Sequence, residues 1–139
     1  MTRKTKVFID SNIPMYAAGG EHPNKEPSIK ILELISEGDI IGITSIEVFQ
    51  EILYRYQAIN LLEKGLEVFD NFSNIIDDIL PIDFQIINRA KKILENKKNK
   101  GIYPRDAIHI ATMEHYEINR IATHDKHFKK FKHIKYFRI

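Results

Sequence analysis

A three-layer α/β/α domain with a central parallel sheet of four to five strands is the fold this sequence predicts, and three observations carry it. Short apolar runs at Val7-Phe8-Ile9, Ile40-Ile41-Gly42-Ile43, Ile79-Leu80-Pro81-Ile82 and Arg120-Ile121-Ala122 have strand length and stop at polar residues or proline. The stretches between them place apolar residues at helical spacing. Strand and helix therefore alternate, and parallel strands joined by helical crossovers are covered on both faces. At 139 residues, without a repeat, linker or low-complexity run, the chain is expected to form one domain spanning 1–139.

Each element has its own local signal. Val7-Phe8-Ile9 runs into Asp10-Ser11-Asn12, a buried strand ending on polar groups. Met15 to Glu26, with Gly19-Gly20 and Pro23, reads as a loop. Pro27 suits the first turn of a helix whose apolar face is Ile31, Leu32, Leu34 and Ile35 and which ends at Gly38. After the second strand, Thr44 with Glu47 three positions on matches a capping box opening a helix to about Tyr56. Leu62, Leu66, Phe69 and Phe72 give a helix over 59–74. Pro81 suggests the end of the third strand, and Asp83 can cap a helix carrying Ile86, Ile87, Ala90, Ile93 and Leu94. A further helix from about Pro104 to Tyr116 precedes the fourth strand, and Ile134-Lys135-Tyr136-Phe137 supplies a fifth.

Composition narrows the functional classes. With no cysteine, disulfides and thiolate metal sites are excluded. The basic start, Met1-Thr2-Arg3-Lys4-Thr5-Lys6, is followed by only three apolar residues, too few for a signal peptide, and no apolar run reaches the roughly 18–20 residues of a membrane span. A cytoplasmic protein is expected. Net charge is +2, a weak pointer to nucleic acid. The cations cluster at Lys97-Lys98-Asn99-Lys100 and over the C-terminal stretch containing Lys126, Lys129, Lys130, Lys132, Lys135 and Arg138. Lys126, Lys129 and Lys130 are candidate RNA contacts, a solvated face being the plain alternative.

In an open parallel sheet, ligands bind beyond the carboxyl ends of the strands. Asp10 follows the first strand directly, Glu51 lies about two turns into the helix after the second, Asp106 is in the first turn of a helix, and Asp125 follows the fourth strand. Singly, each has a structural use: Asp106 and Asp125 suit helix N-termini, Asp10 a strand end, and Glu51 a solvated face. Jointly, four acids from four distant segments can meet at one edge. Convergent carboxylates repel, and a hard divalent cation such as Mg²⁺ or Mn²⁺ resolves that repulsion. Such a site suits hydrolysis of a phosphodiester.

These residues resemble the motifs of PIN-domain ribonucleases. Val7-Phe8-Ile9-Asp10-Ser11-Asn12 is similar to the family's opening strand, and Thr44-Ser45 with Glu51 six residues after the serine to its second motif. Arg105-Asp106-Ala107-Ile108-His109-Ile110-Ala111 resembles the third, and Ile121-Ala122-Thr123-His124-Asp125-Lys126-His127-Phe128 the closing one. The resemblance implies a single-strand RNA endonuclease using Mg²⁺ or Mn²⁺. Asp10, Glu51, Asp106 and Asp125 would be catalytic acids and metal ligands, and Asn12 and Thr123 would orient a carboxylate or a water. A domain of this size looks most like the toxin of a VapBC-type toxin–antitoxin pair. That implies a homodimer and a small cognate antitoxin whose C-terminal part occupies the active-site groove.

One departure stands out: many relatives carry an aspartate before the phenylalanine of the closing motif, where this chain has His127. Glu47 shares a helix face with Glu51; the capping box claims Glu47 and the site claims Glu51. The six histidines match no zinc spacing, and His109, three residues after Asp106, is assigned to the core or surface although it could face the cleft. Tyr54, Tyr56, Tyr103 and Tyr116 could stack bases, but aromatics at helical spacing more often pack. A receiver-type signalling domain would need an acidic pair after the first strand, where only Asp10 stands. A nucleotide-binding module would need a glycine-rich loop there. A catalytically inactive PIN-like scaffold binding RNA or protein is the remaining alternative, opposed by the four intact acids.

Overall fold

The computed structural model describes residues 4–138; residues 1–3 of the basic N-terminal stretch lie outside the described residues. Five strands, β1 (Lys6–Ile9), β2 (Ile41–Ser45), β3 (Asp78–Leu80), β4 (Arg120–Ala122) and β5 (Lys135–Tyr136), form one wholly parallel sheet in the order β3-β2-β1-β4-β5. In register, Phe8 stands between Ile43 and Ile121, and Ile9 lies opposite Ala122. Val7, Phe8 and Ile9 are all fully buried. Successive strand residues point to opposite faces, so both faces of β1 are covered and the domain has three layers, α/β/α.

Among the described residues six helices supply those layers: α1 (Asn12–Ala18), α2 (Lys25–Ser36), α3 (Ile46–Ala58), α4 (Leu62–Ile75), α5 (Phe84–Glu95) and α6 (Pro104–His115), with 3-10 turns at Lys97–Asn99 and His127–Lys130. The main core joins β1 to Ile31 and Ile35 of α2, Val48 and Ile52 of α3, Phe72 of α4 and Ile110 and Met113 of α6. A smaller cluster of Ile86, Ala90, Ala107 and Ala111 seals α5 onto α6. Gly42 is required where α2 crosses β2, because a Cβ there would come within 2.6 Å of the Ile35 side chain. Gly38, at φ +79, releases the chain from α2 as a helix-ending glycine does.

Two expectations fail. The stretch read as a loop from Met15 to Glu26 holds the second half of α1 and the start of α2. Seven residues make only two helical turns, too few for a period to show, and α1 is held instead by burial of Ile13 and Pro14. The capping box also fails. Thr44 belongs to β2, and its hydroxyl donates to the Ile9 carbonyl at 2.8 Å; Ser45 precedes α3 without a side-chain cap. Stitching β2 to β1 across the sheet wins over capping, because Thr44 is fully buried there. The Asp83 cap does form, its carboxylate accepting from the Ile86 N–H at 3.1 Å.

Strand order determines where a site forms. From β1 the chain moves outward through β2 and β3, then returns to add β4 and β5 on the other side. The crossovers diverge between β1 and β4, leaving a crevice at the carboxyl ends of those two strands.

Candidate active site

Asp10 emerges from β1 at that crevice, only 3% exposed. Four residues surround its carboxylate with donors. Oδ1 accepts the Ser11 N–H at 2.7 Å; Oδ2 accepts the Thr123 hydroxyl at 2.7 Å and the Asn12 amide at 3.3 Å; and His109 Nε2 stands 3.6 Å from Oδ1. Burial still pushes this carboxyl above the usual range; His109 opposes the shift, while the charges of Glu51 and Asp125 add to it.

Glu51 reaches the same place from α3. Its Oε2 accepts the Ser11 hydroxyl at 2.9 Å and its Oε1 accepts from His109 Nε2 at 2.7 Å. Burial raises this carboxyl too, but the bond and charge of His109, the Ser11 hydroxyl and the Arg105 guanidinium more than offset it, and it lies below the usual range. His109 is buried, as a core role implies, and its Nε2 also faces the two acids at the crevice. Burial would lower its pKa, yet the Glu51 bond and the charges of Asp10, Glu51 and Asp106 drive it up to about 9. Glu47, one turn before Glu51, is half-buried, and burial and the Glu51 charge hold its carboxyl above normal. It leans toward the acids instead of capping the helix.

Asp106 and Asp125 form the neighbouring group. Asp106, 2% exposed, accepts the Tyr103 N–H at 3.3 Å, and His127 Nδ1 lies 3.1 Å from its Oδ2. His127 thus occupies the site's edge as a partner of Asp106. Asp125 is positioned through its backbone: its N–H donates to the Thr123 hydroxyl at 3.1 Å and its carbonyl accepts the Tyr136 hydroxyl at 2.6 Å. Donor atoms of Asp10, Glu51 and His109 lie within 4.8 Å of one another, as do those of Asp106, Asp125 and His127. Thr123 joins the two groups, bonding Asp10 on one side and the Asp125 backbone on the other. Asn12 braces that joint, its amide donating to Thr123 Oγ1 at 3.1 Å and its Oδ1 accepting the His124 N–H at 3.2 Å.

A cleft of about 540 Å³ opens over Glu51 and Asp125. Its cations are Arg55, Lys64 and Arg105, which sequence reasoning missed because they are scattered along the chain. Lys126, Lys129 and Lys130 are exposed on or beside the turn that follows Asp125, and Lys130 donates to the Lys100 carbonyl, drawing the two basic runs together. Of the four tyrosines, Tyr54 is 65% exposed on the cleft wall, whereas Tyr56 is buried against Gly65. Tyr103 is exposed beside Arg105, and Tyr116 donates to the Pro81 carbonyl. A separate, more apolar groove between α1, α2 and α4 contains none of the four acids.

These residues fit a hard divalent cation. The candidate ligand atoms are mainly carboxylate oxygens: Asp10 with Glu51, and Asp106 with Asp125, each pair gathered within 4.8 Å together with one histidine nitrogen, a donor set that suits a hard cation. Among the described residues no helix is long and apolar enough to cross a membrane.

Comparison with known proteins agrees with this architecture. The PIN domain family matches residues 7–134. Ribonuclease VapC13 of Mycobacterium tuberculosis is 36% identical over 129 residues, covering 93% of this chain and 97% of that protein. The crystal structure of M. tuberculosis VapC20, described as a sarcin-ricin loop cleaving toxin, superposes with a TM-score of 0.73 at 13% identity, over 88% of this chain and 92% of that one. VapBC2 from Rickettsia felis, bound to a DNA fragment from its promoter, gives a TM-score of 0.73 at 18% identity, over 96% and 98% of the two chains. An all-parallel β3-β2-β1-β4-β5 sheet with acids gathered at its switch point, matched along nearly its whole length, makes this chain a member of the PIN-domain family, among the VapC ribonucleases.

Proposed function

We propose that the protein is a Mg²⁺- or Mn²⁺-dependent endoribonuclease that hydrolyses phosphodiester bonds of single-stranded RNA, with Asp10, Glu51, Asp106 and Asp125 holding the cation. The observation that carries this reading is the joining of two acid pairs at one crevice through the Thr123 hydroxyl. A divalent cation bound there supplies a Lewis acid that activates water and offsets the charge gathering on the phosphate. The protein's own residues do the rest. Ser11, Asn12 and Thr123 fix the Asp10 carboxylate, so little reorganisation is needed when substrate arrives. Arg55, Lys64 and Arg105 line the cleft where backbone phosphates would lie, with Lys126, Lys129 and Lys130 extending the positive path. Tyr54 offers an exposed ring on which an unpaired base can stack.

The VapBC complexes among its structural relatives lead us to propose a cognate antitoxin whose C-terminal part enters the groove, and a homodimeric state. We further infer a single domain over 1–139 acting in the cytoplasm, where its RNA would be. Purified protein, free of any partner, should cut single-stranded RNA with Mg²⁺ or Mn²⁺, stop in excess EDTA, and slow as salt rises. Undiminished cleavage in EDTA would refute the metal mechanism.

A further inference from the structure

His109 is a buried histidine held through one ring nitrogen. Its ring is 1% exposed and packs beside Phe8, with centroids 5.4 Å apart. Nε2 donates to Glu51 at 2.7 Å and stands 3.6 Å from Asp10, whereas Nδ1 is buried without a hydrogen-bond partner among the described residues. The two acids are thus the ring's whole polar anchorage. For packing alone, leucine would fill this space without stranding a polar atom.

We propose that His109 is a positioning residue of the cation site: through Nε2 it fixes the Glu51 carboxylate against Asp10 and so sets the spacing at which the pair receives the cation. This rests on the metal-dependent reading above. Glu51 is a long side chain on α3, free to take other rotamers unless it is gripped. Two groups grip it. Ser11 bridges the acids from one side, N–H to Asp10 and hydroxyl to Glu51, and His109 bridges them from the other. Each Glu51 oxygen then carries one donor and keeps lone-pair capacity for a ligand. His109 also lies three residues after Asp106 on α6, the spacing at which side chains share a helix face. One rigid helix thereby positions an acid of the second group and the clamp of the first.

The test is a Mn²⁺ titration of the full-length protein, following loss of the free-ion EPR signal, on the parent, His109→Leu and His109→Gln, with melts to verify folding. His109→Leu should bind Mn²⁺ about 10–100-fold more weakly. Its KM for RNA should stay near the parent's, and its kcat should recover as Mn²⁺ is raised. His109→Gln, whose longer amide reaches Glu51, should retain most of the affinity. A folded His109→Leu that binds Mn²⁺ as tightly as the parent overturns the proposal while leaving the metal reading standing; a parent that binds no Mn²⁺ overturns both. Should His109→Leu fail to fold, His109→Asn replaces it. Its amide is too short to reach Glu51, so equal affinity in the Asn and Gln variants refutes the clamp. Nitrogen modulation in the Mn²⁺ spin echo that disappears with the imidazole would replace positioning by direct ligation.

Discussion

Removing one oxygen atom from Thr123 should loosen the whole site. Thr123→Val keeps the β-branched shape, so the backbone and packing of this 6%-exposed residue are undisturbed. What disappears is a hydroxyl that donates to Asp10 at 2.7 Å and accepts from Asn12 and from the Asp125 N–H, both at 3.1 Å. A hydrogen bond to a carboxylate contributes about 1.5–3 kcal/mol and a neutral one about 0.5–1.5 kcal/mol. Asn12 and Asp125 are half-buried and recover part of their loss from water. The sum is about 3 kcal/mol. At this chain length that corresponds to a fall in Tm of about 10 °C. Thr123→Ser keeps the hydroxyl and loses only a methyl, about 1 kcal/mol. Melts of both variants in EDTA, with cleavage measured in Mg²⁺, separate the two terms. Cleavage by Thr123→Val should fall at least 10-fold, because Asp10 and the segment carrying Asp125 lose their common anchor. A valine variant melting within about 2 °C of the parent would refute the hydroxyl as the joint between the acid pairs.

Asp10→Asn should abolish cleavage with a stability change of no more than about 1 kcal/mol: losing the charge relieves a carboxyl raised by burial, but both Asp10 oxygens face donors, so the new amide NH₂ must confront one. Normal cleavage by this variant would overturn the catalytic reading of the cluster. Arg105→Ala should raise KM for RNA and flatten the salt dependence of binding by about one unit of slope, an effect Lys129→Ala should match only weakly; equal effects would move the RNA path to the C-terminal lysines. Stability in EDTA should fall as pH rises from 6.5 through about 9. A histidine raised from 6.5 to about 9 contributes fully below 6.5 and loses that contribution as pH climbs through about 9, whereas Glu51, lowered from 4.5, loses its contribution only on the acid side. His109→Leu should flatten the alkaline fall, and a slope unchanged in that variant would show that another group causes it.

Much of this architecture was legible because the strands are short apolar runs that end at chemistry. Asp10 and Asp125 directly follow β1 and β4, so knowing where a parallel sheet binds ligands located them without coordinates. Local pattern failed where partners lie far apart in sequence. Thr44 looked like a helix cap because its neighbours suited one, but Ile9, 35 residues away, took its hydroxyl. His109 gave a readable hint, an i, i+3 spacing from Asp106, yet its partner Glu51 is 58 residues distant. The cleft cations Arg55, Lys64 and Arg105 were invisible for the same reason: they form no run, and only the fold collects them. Helix α1 escaped because two turns are held by burial and carry no period of their own.

The pairing of β1 with β4 has a bearing on how such a protein is made. Ribosomes deliver the chain from its N-terminus, at roughly 5–20 residues per second, and early segments begin to fold while later ones are still being joined. Strands β1, β2 and β3 can align as soon as residue 80 is available, bringing Asp10 and Glu51 into position. Thr123 and Asp125 follow β4, and Tyr136, which anchors the Asp125 carbonyl, comes later still. A nascent chain halted before residue 123 therefore holds Asp10, Glu51 and Asp106 but lacks Thr123 and Asp125, the joint and the last of the four acids. The joint between the two acid groups is thus the last part of the crevice to form, completed only once β4 and β5 have added to the opposite side of β1.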